Sequence, residues 1–225
     1  MKRRGRIAIV SLVGLCLEAA SARAQTGSDG QMYAELTGGP TLGHKSDTSI
    51  GGEFGWRLGA NLDLFVEGGR VGNAATTDFE GRGVRIANAV SSPNNIVTAN
   101  GFEKVTYFDV GVRYRFTTTL VPTRVHPYVL LGFGVGRVTT ETDFVLNGTV
   151  VPAESLGIQL GGDLGGKFTR PFGMFGFGTN IEFGSRYFAD VSYRYGRVSG
   201  HTADSETELE AVPTQRVQFG VGIRF

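Results

Sequence analysis

Acidic and basic residues recur at every second or fourth position in several short segments whose intervening residues are apolar. In residues 108–116, for example, Asp109, Arg113 and Arg115 alternate with Phe108, Val110, Val112, Tyr114 and Phe116. Successive side chains of a strand point to opposite faces, so this spacing predicts strands with one charged and one apolar face. We assign thirteen residues to the charged face: Glu35, Glu53, Arg57, Asp63, Glu67, Asp109, Arg113, Arg115, Asp163, Lys167, Asp190, Arg194 and Arg224.

These seven acids and six bases could serve three purposes if the strands enclose them in one interior. Their near-balance favours a network of paired charges that fills the interior, because an uncompensated buried ion costs several kcal/mol. A narrow ion path and a catalytic centre are the alternatives. We expect the paired network.

The three histidines do not predict an enzyme or a metal site. On the strand assignment given below, His44 and His201 lie in loops at one end, and His126 lies in a turn at the other end. A site formed by His44 and His201 with an acid such as Asp47 or Glu206 is conceivable, but no Ser–His–acid arrangement is assembled by this topology. Residues 132–136 (GFGVG) lack the third glycine and the following helix of a dinucleotide fingerprint. We therefore expect no catalysis, no cofactor and no bound metal.

The two-residue period is clearest at the end of the chain. In residues 217–225 every odd position is apolar, and the even positions are Gln, Gly, Gly and Arg. Seven further segments show the same period: 31–39, 52–58, 62–71, 108–116, 128–138, 156–168 and 181–195. With 35 glycines in 225 residues and 11% aromatics, the composition also favours a barrel. We predict an all-β chain that forms an eight-stranded antiparallel up-and-down β-barrel.

The connections between these segments alternate in length. Long polar spacers cover residues 40–51, 72–101, 139–155 and 199–213, and shorter ones cover 59–61, 117–127 and 169–180. Long loops on one side and short turns on the other are typical of outer-membrane barrels. The last two connections are longer than ideal turns, and residues 171–178 (PFGMFGFG) have no explanation in this scheme.

Alternation alone does not tell a membrane barrel from a soluble lipocalin-like barrel, because the two turn opposite faces outward. A ten-residue strand tilted by about 40° spans roughly 25 Å, which matches the apolar band of a membrane barrel. The charged face mixes glycines with long side chains, as expected of a crowded eight-stranded lumen. We therefore predict a transmembrane barrel, with interfacial aromatic girdles that include Trp56, Tyr114, Tyr128, Tyr187 and Tyr195.

The N-terminus has the pattern of an export signal. Lys2, Arg3, Arg4 and Arg6 precede a mostly apolar stretch at 7–17, and Ala22-Arg23-Ala24 forms a small-x-small cleavage site. The apolar stretch is shorter than the roughly 20 residues of a transmembrane helix. We predict a signal peptide at 1–24 and a barrel domain at 25–225. Cys16, the single cysteine, lies in this signal, so we expect no disulfide.

The last eight residues, QFGVGIRF, resemble the β-signal that the barrel-assembly machinery reads on bacterial outer-membrane proteins, with Gln218, Gly220, Ile223 and Phe225 at the signal positions. The segments 53–70 (EFGWRLGANLDLFVEGGR) and 187–198 (YFADVSYRYGRV) resemble a hairpin and the penultimate strand of the eight-stranded outer-membrane β-barrel superfamily. That group contains the transmembrane domain of outer membrane protein A. The resemblance implies short periplasmic turns, long external loops and a lumen filled by charged side chains.

The expected function follows from this reading. We expect an integral barrel of the bacterial outer membrane with a structural or surface-interaction role, whose external loops, chiefly 72–101, face the environment. A small ion or solute channel and a soluble secreted ligand-binding barrel are the alternatives. The expected partners are outer-membrane lipid, the barrel-assembly machinery and an unknown external ligand at the loops. With 22 basic and 21 acidic residues, the charge does not favour a nucleic-acid partner.

Overall fold

The computed structural model describes residues 31–117, 122–161, 164–202, 208–209 and 211–225, and eight long antiparallel strands dominate this part of the chain. The long strands are β1 (Met32–Leu42), β2 (Thr48–Arg57), β3 (Leu62–Val71), β4 (Val97–Arg115), β5 (Val125–Leu146), β7 (Gly166–Phe183), β8 (Tyr187–Val198) and β11 (Val212–Arg224). Three short strands lie in loops: β6 (Thr149–Val151), β9 (His201–Thr202) and β10 (Glu208–Leu209).

The long strands close into one up-and-down barrel. Each pairs with its neighbours in the chain, and β11 returns to pair with β1, where Tyr33 lies opposite Arg224 and Leu36 opposite Val221. Within the barrel wall each long strand is paired on both sides, which removes the main route to edge-to-edge association. The predicted eight-stranded antiparallel barrel is confirmed.

The sixth predicted strand was wrong. Residues 156–168 were expected to form it, but the structure has a 3₁₀ helix, η1 (Ala153–Leu156), followed by a loop, and the sixth long strand is β7. Residues 171–178, which had no explanation, are the middle of β7, so the predicted turn at 169–180 was wrong as well. The predicted seventh strand, 181–195, is divided between the end of β7 and the start of β8, with Gly184 at φ +74° in the turn.

The physical reason for this error is that the middle of β7, residues 171–178, is apolar on both faces. Phe175 and Phe177 point outward, while Phe172 and Met174 point into the barrel, so the segment lacks polar–apolar contrast. The alternating leucines and isoleucine of 156–164 instead pack into two apolar clusters in the loops. The two-residue period of residues 156–164 therefore belongs to a loop with its own apolar cluster. Strand β7, whose middle lacks that period, was missed.

The two ends of the barrel differ. At the turn end, short connections (58–61, 116–124 and 184–186) join the strands; at the loop end, the connections are 43–47, 72–96, 147–165 and 199–211. The second loop contains helix α1 (Thr77–Val90). Its N-cap residue is Thr76, whose hydroxyl accepts from the Phe79 amide at 3.1 Å. No helix in the described residues is long and apolar enough to cross a bilayer.

The loop end carries an ordered cap. Strands β4 and β5 extend beyond their neighbours. Helix α1 packs on β4 there, and residues of η1 share an apolar cluster with Phe144 of β5. Phe79 and Ala87 of α1 are buried there, as is Phe144 of β5. We call α1, η1 and residues 157–161 and 164–165 the loop cap.

The barrel is apolar outside and polar inside. Phe133, Phe219 and Val221 on the outer face are 64%, 57% and 66% exposed, whereas Asp109 and Arg194 are fully buried. A soluble barrel has the opposite arrangement, so the soluble ligand-binding alternative does not agree with the structure. The outer aromatics include the predicted girdle residues Tyr114 and Tyr187.

A charge placed on the outer face of β7 tests its corrected position. We expect Phe177→Arg, near the middle of the outward row of β7, to lower the free energy of unfolding in lipid vesicles by about 2–4 kcal/mol, because it exposes a guanidinium to hydrocarbon. Denaturant titration of the refolded barrel measures this. Lys167→Arg, at the loop end of the same row, is the control and should change little. Equal stability of Phe177→Arg and wild type would contradict the strand assignment.

Candidate functional site: the charged lumen

Arg113 occupies the middle of the lumen and is enclosed by acids and aromatic rings. Its Nη2 lies 2.6 Å from Glu53 Oε1 and 3.8 Å from Glu35 Oε2. Its guanidinium stands 4.3 Å from the ring centroid of Tyr128 and 5.3 Å from that of Tyr33. Only 1% of Arg113 is exposed, so its charge is balanced entirely by these protein groups.

Arg194 connects two glutamates across the barrel. Its Nη2 lies 3.2 Å from Glu53 Oε2, and its Nη1 donates a short hydrogen bond to Glu67 Oε2. Glu67 also accepts from the Tyr107 hydroxyl at 2.7 Å and lies 3.8 Å from Arg216 Nη1. Glu53 and Glu67 are therefore shared, and strands distant in sequence are joined through them.

Three further carboxyls line the same region with fewer partners. Asp190 accepts from the Tyr128 hydroxyl at 2.7 Å and from Asn180 at 2.8 Å. Neither oxygen of Asp109 or of Glu35 has a hydrogen-bond partner among the described residues, although Glu35 faces Arg113. The network thus holds most charges in pairs and leaves some acceptor capacity unused.

A second ionic group lies towards the turn end. Arg115 Nη2 is 2.9 Å from Asp63 Oδ1, and Arg57 Nε is 3.9 Å from the same oxygen. Arg224 pairs with Glu182. This group is less buried than the central one: a quarter of the Arg57 side chain is exposed.

A layer of buried apolar side chains lies in the lumen on the loop side of the charged network. Phe172 and five valines, none more than 3% exposed, form it; the valines are Val71, Val105, Val138, Val198 and Val212. The Tyr107 ring lies 5.2 Å from that of Phe172, while its hydroxyl bonds Glu67, so this residue joins the two layers. Beyond the layer, a cavity of about 220 Å³ opens at the loop end, lined by residues 41–45, 73–77 and 213–215 and by Val71.

At the mouth of this cavity, loop 43–47 is held to helix α1 by Glu80. Glu80 accepts from His44 Nε2 at 2.5 Å and pairs with Lys45. Burial acts to raise the pKa of the Glu80 carboxyl, but the hydrogen bonds from Lys45 and His44 outweigh it, and the pKa lies below its usual value. The Glu80 carboxyl therefore stays ionised at a pH where an ordinary glutamate would already begin to take up a proton.

Most residues assigned to the charged face do lie on the lumen side. The structure places Glu35, Glu53, Asp63, Glu67, Asp109, Arg113, Arg115, Asp190, Arg194 and Arg224 there as buried residues, and Arg57 as half-buried. Lys167 is a correction: it is exposed on the outer face of β7, because the strand that contains it has the parity opposite to the one predicted. Asp163 lies outside the described residues.

Sequence reasoning missed Arg216 and misplaced Tyr128. Arg216 is fully buried beside Glu67, and its guanidinium lies 4.3 Å from the Tyr107 ring centroid, but the predicted last strand began one residue later. Starting β11 at Val212 would have revealed it, since Thr214, Arg216 and Gln218 continue the polar parity. Tyr128, predicted for an interfacial girdle, is 1% exposed within the lumen, where its hydroxyl bonds Asp190.

The residues of the terminal motif divide between the two faces of β11. Gln218 is fully buried, and its side-chain oxygen and nitrogen have no hydrogen-bond partner in the described part of the chain. Gly220 also faces the lumen, where an added Cβ would lie 2.1 Å from Glu35 Oε1, so no larger residue fits without displacing that carboxylate. Ile223 and Phe225 belong to the outward parity. The Phe225 ring lies 6.1 Å from that of Phe54.

The described histidine side chains do not form a site with one another. His44 contacts Glu80 at the loop end, and His126 Nε2 lies 3.0 Å from Glu182 at the turn end. The side chain of His201 is outside the described residues. Among the side chains that are described, no group of three or more His, Cys, Asp or Glu residues could hold a metal ion.

Comparison with known proteins agrees with this architecture. The family model for the outer membrane protein beta-barrel domain matches residues 7–225. The chain belongs to this family. Its relatives are outer-membrane barrels, and the transmembrane assignment of the strands follows. No curated protein sequence matches significantly.

Several solved structures align with most of this chain at low sequence identity. Neisserial surface protein A aligns with a TM-score of 0.51 and 14% identity over 89% of this chain and 100% of its own. The N-terminal β-barrel domain of Pseudomonas aeruginosa OprF aligns with a TM-score of 0.46 and 16% identity, over 88% and 98% of the two chains. The attachment invasion locus protein Ail of Yersinia pestis aligns with a TM-score of 0.45 and 14% identity, over 88% and 99%.

The shared glutamates predict strong coupling within the network. We expect Arg194→Met to lower the free energy of unfolding by about 3–5 kcal/mol, because it leaves two buried carboxylates without this partner. Adding Glu67→Gln should recover part of that loss. Denaturant titration of the four proteins of the cycle measures the interaction energy. Arg57→Met, at the half-buried turn end, should cost less than Arg194→Met. Strict additivity of Arg194→Met and Glu67→Gln would refute the coupling.

Proposed function

We propose that this protein is a non-conducting, non-catalytic barrel of the bacterial outer membrane with a structural or surface-interaction role. The observation that carries the proposal is the double closure of the lumen, by the charged network around Arg113 and Arg194 and then by the apolar layer around Phe172. Membership in the outer-membrane barrel family supports the placement in the membrane.

The absence of catalysis is supported by how the titratable residues are used. Glu53, Glu67 and Asp190 are engaged in the buried network, and His44 and His126 each contact a glutamate at opposite ends of the barrel. These pairings fit structural roles. None of the hydrogen bonds to these two histidines within the described residues involves a serine hydroxyl, as a Ser–His–acid arrangement requires.

The surface role is supported by the order of the loop cap. Helix α1 is fixed to the β4–β5 extension by buried Phe79 and Ala87, and Glu80 ties it to the first loop. Binding residues tend to lie on loops that a rigid scaffold positions. We infer that the loop end faces the exterior, where an external ligand would meet this cap. The barrel-assembly machinery would act at β11, before its pairing with β1 buries the strand edge.

Planar-bilayer recording tests the closed lumen. We expect the refolded protein to give no stepwise currents over repeated insertions, because two successive layers block the path. Heat-modifiable gel mobility of the same preparation shows that the barrel is folded. Stepwise openings in wild type whose size changes in Arg194→Met would overturn the proposal in favour of an ion channel.

We further propose that residues 1–24 are removed on export. The basic start, the short apolar stretch and Ala22-Arg23-Ala24 support this. We expect the protein recovered from the membrane fraction to begin at Gln25 when its N-terminus is sequenced, and Ala24→Leu to accumulate as uncleaved precursor. Val13→Leu, within the apolar stretch, is the control and should be processed normally. A membrane protein that retains Met1 would contradict the assignment.

A further inference from the structure

Basic residues stand on the outer face of the barrel at the points where its apolar surface ends. On β3 the outward row runs from Leu62 through Leu64, Val66 and Gly68 to Arg70. On β5 it runs from Val129 through Leu131, Phe133 and Val135 to Arg137. On β7 the outward row ends towards the loops at Lys167. Each cation therefore continues a row that faces lipid.

The strand register gathers these cations into one patch. Arg70 and Arg137 lie on either side of Thr106, and Lys104 and Lys167 lie on either side of Thr139. Cations two strands apart have backbones separated by roughly 10 Å, and the two rows are about 7 Å apart along β4. We call Arg70, Lys104, Arg137 and Lys167 the rim patch.

The rim patch has an excess of positive charge. Lys104 pairs with Glu141 at 2.5 Å, but within the described part of the chain no carboxylate forms an ion pair with Arg70, Arg137 or Lys167. In the lumen, by contrast, Arg113 and Arg194 are each paired with two glutamates. The three unpaired cations are exposed and available to an external anion.

We propose that the rim patch binds the phosphate-bearing headgroups of lipids in the leaflet at the loop end. Guanidinium groups match phosphate oxygens through paired N–H donors, and basic side chains at a membrane surface attract anionic lipid. A lipid fits this place better than a soluble polyanion does. Val135, 51% exposed, lies two residues from Arg137, and Phe108, 54% exposed, lies two residues from Thr106, so acyl chains would contact the wall directly below the bound phosphate.

This inference rests on the membrane placement of the barrel and is independent of whether its lumen is closed. Any membrane barrel contacts hydrocarbon through its apolar wall. The proposal goes further, because it names a class of lipid that this barrel binds at one end. The patch lies on strands β3, β4, β5 and β7, so the site covers one side of the barrel and not its whole circumference.

The test is a lipid titration of the refolded full barrel in a neutral detergent, read by native mass spectrometry as the number of bound lipids. The probes are lipid A with its two phosphates and the same lipid after enzymatic dephosphorylation. The variants are Arg70→Gln/Arg137→Gln, and Arg124→Gln/Arg186→Gln, which removes the same charge from exposed positions at the turn end. Heat-modifiable mobility confirms that every variant is folded.

We expect wild type to retain phosphorylated lipid A in preference to the dephosphorylated form. The double variant of the rim patch should lose roughly 30-fold in apparent affinity, since each basic residue contributes about fivefold at an anionic lipid surface. The turn-end variant should bind as wild type does. Equal binding of both lipids, equal losses in both double variants, or binding of dextran sulfate without binding of lipid A would each overturn the proposal.

Discussion

The sharing of two buried glutamates among three arginines is the interaction on which the interior of this barrel depends. Glu53 meets Arg113 and Arg194, and Glu67 meets Arg194 and Arg216. An eight-stranded barrel has just enough interior space for its side chains, so these ions must find partners within the wall. Because the residues come from β2, β3, β4, β8 and β11, their pairing also links strands on opposite sides of the barrel.

The same constraint explains the glycines and the aromatic rings around the network. A Cβ at Gly55 would lie 2.2 Å from the Tyr33 ring, which covers that position and donates to Glu53 at 2.5 Å. Tyr128 in the same way lies with its ring against the Arg113 guanidinium and donates its hydroxyl to Asp190. Tyr107 does the same with Arg216 and Glu67. Long side chains from some strands fill space that glycines leave on others, which satisfies both volume and charge in a narrow tube.

The barrel therefore has distinct layers from one end to the other. Ion pairs open partly to water at the turn end, a fully buried network follows, then the apolar layer, and finally the loop cap with its own apolar clusters. On the outer wall the order is simpler, with an apolar band that ends at basic residues towards the loops. The interior determines whether the barrel is closed, and the outer wall determines how it is held in lipid.

The sequence by itself determined the class of the fold, the number of strands and most of the lumen residues, because a strand with one face in lipid and one in a polar interior has a two-residue period. It did not determine where β7 lies, since both faces of residues 171–178 are apolar, nor that residues 156–164 belong to the loop cap, since a loop core can show the same period. The first error placed Lys167 inside, and a separate one, a last strand begun at residue 217, left Arg216 out. Which acid meets which base was decided only by the tertiary structure. Arg194 and Glu67, for example, are 127 residues apart in the sequence, and the register and closure of the barrel bring them together.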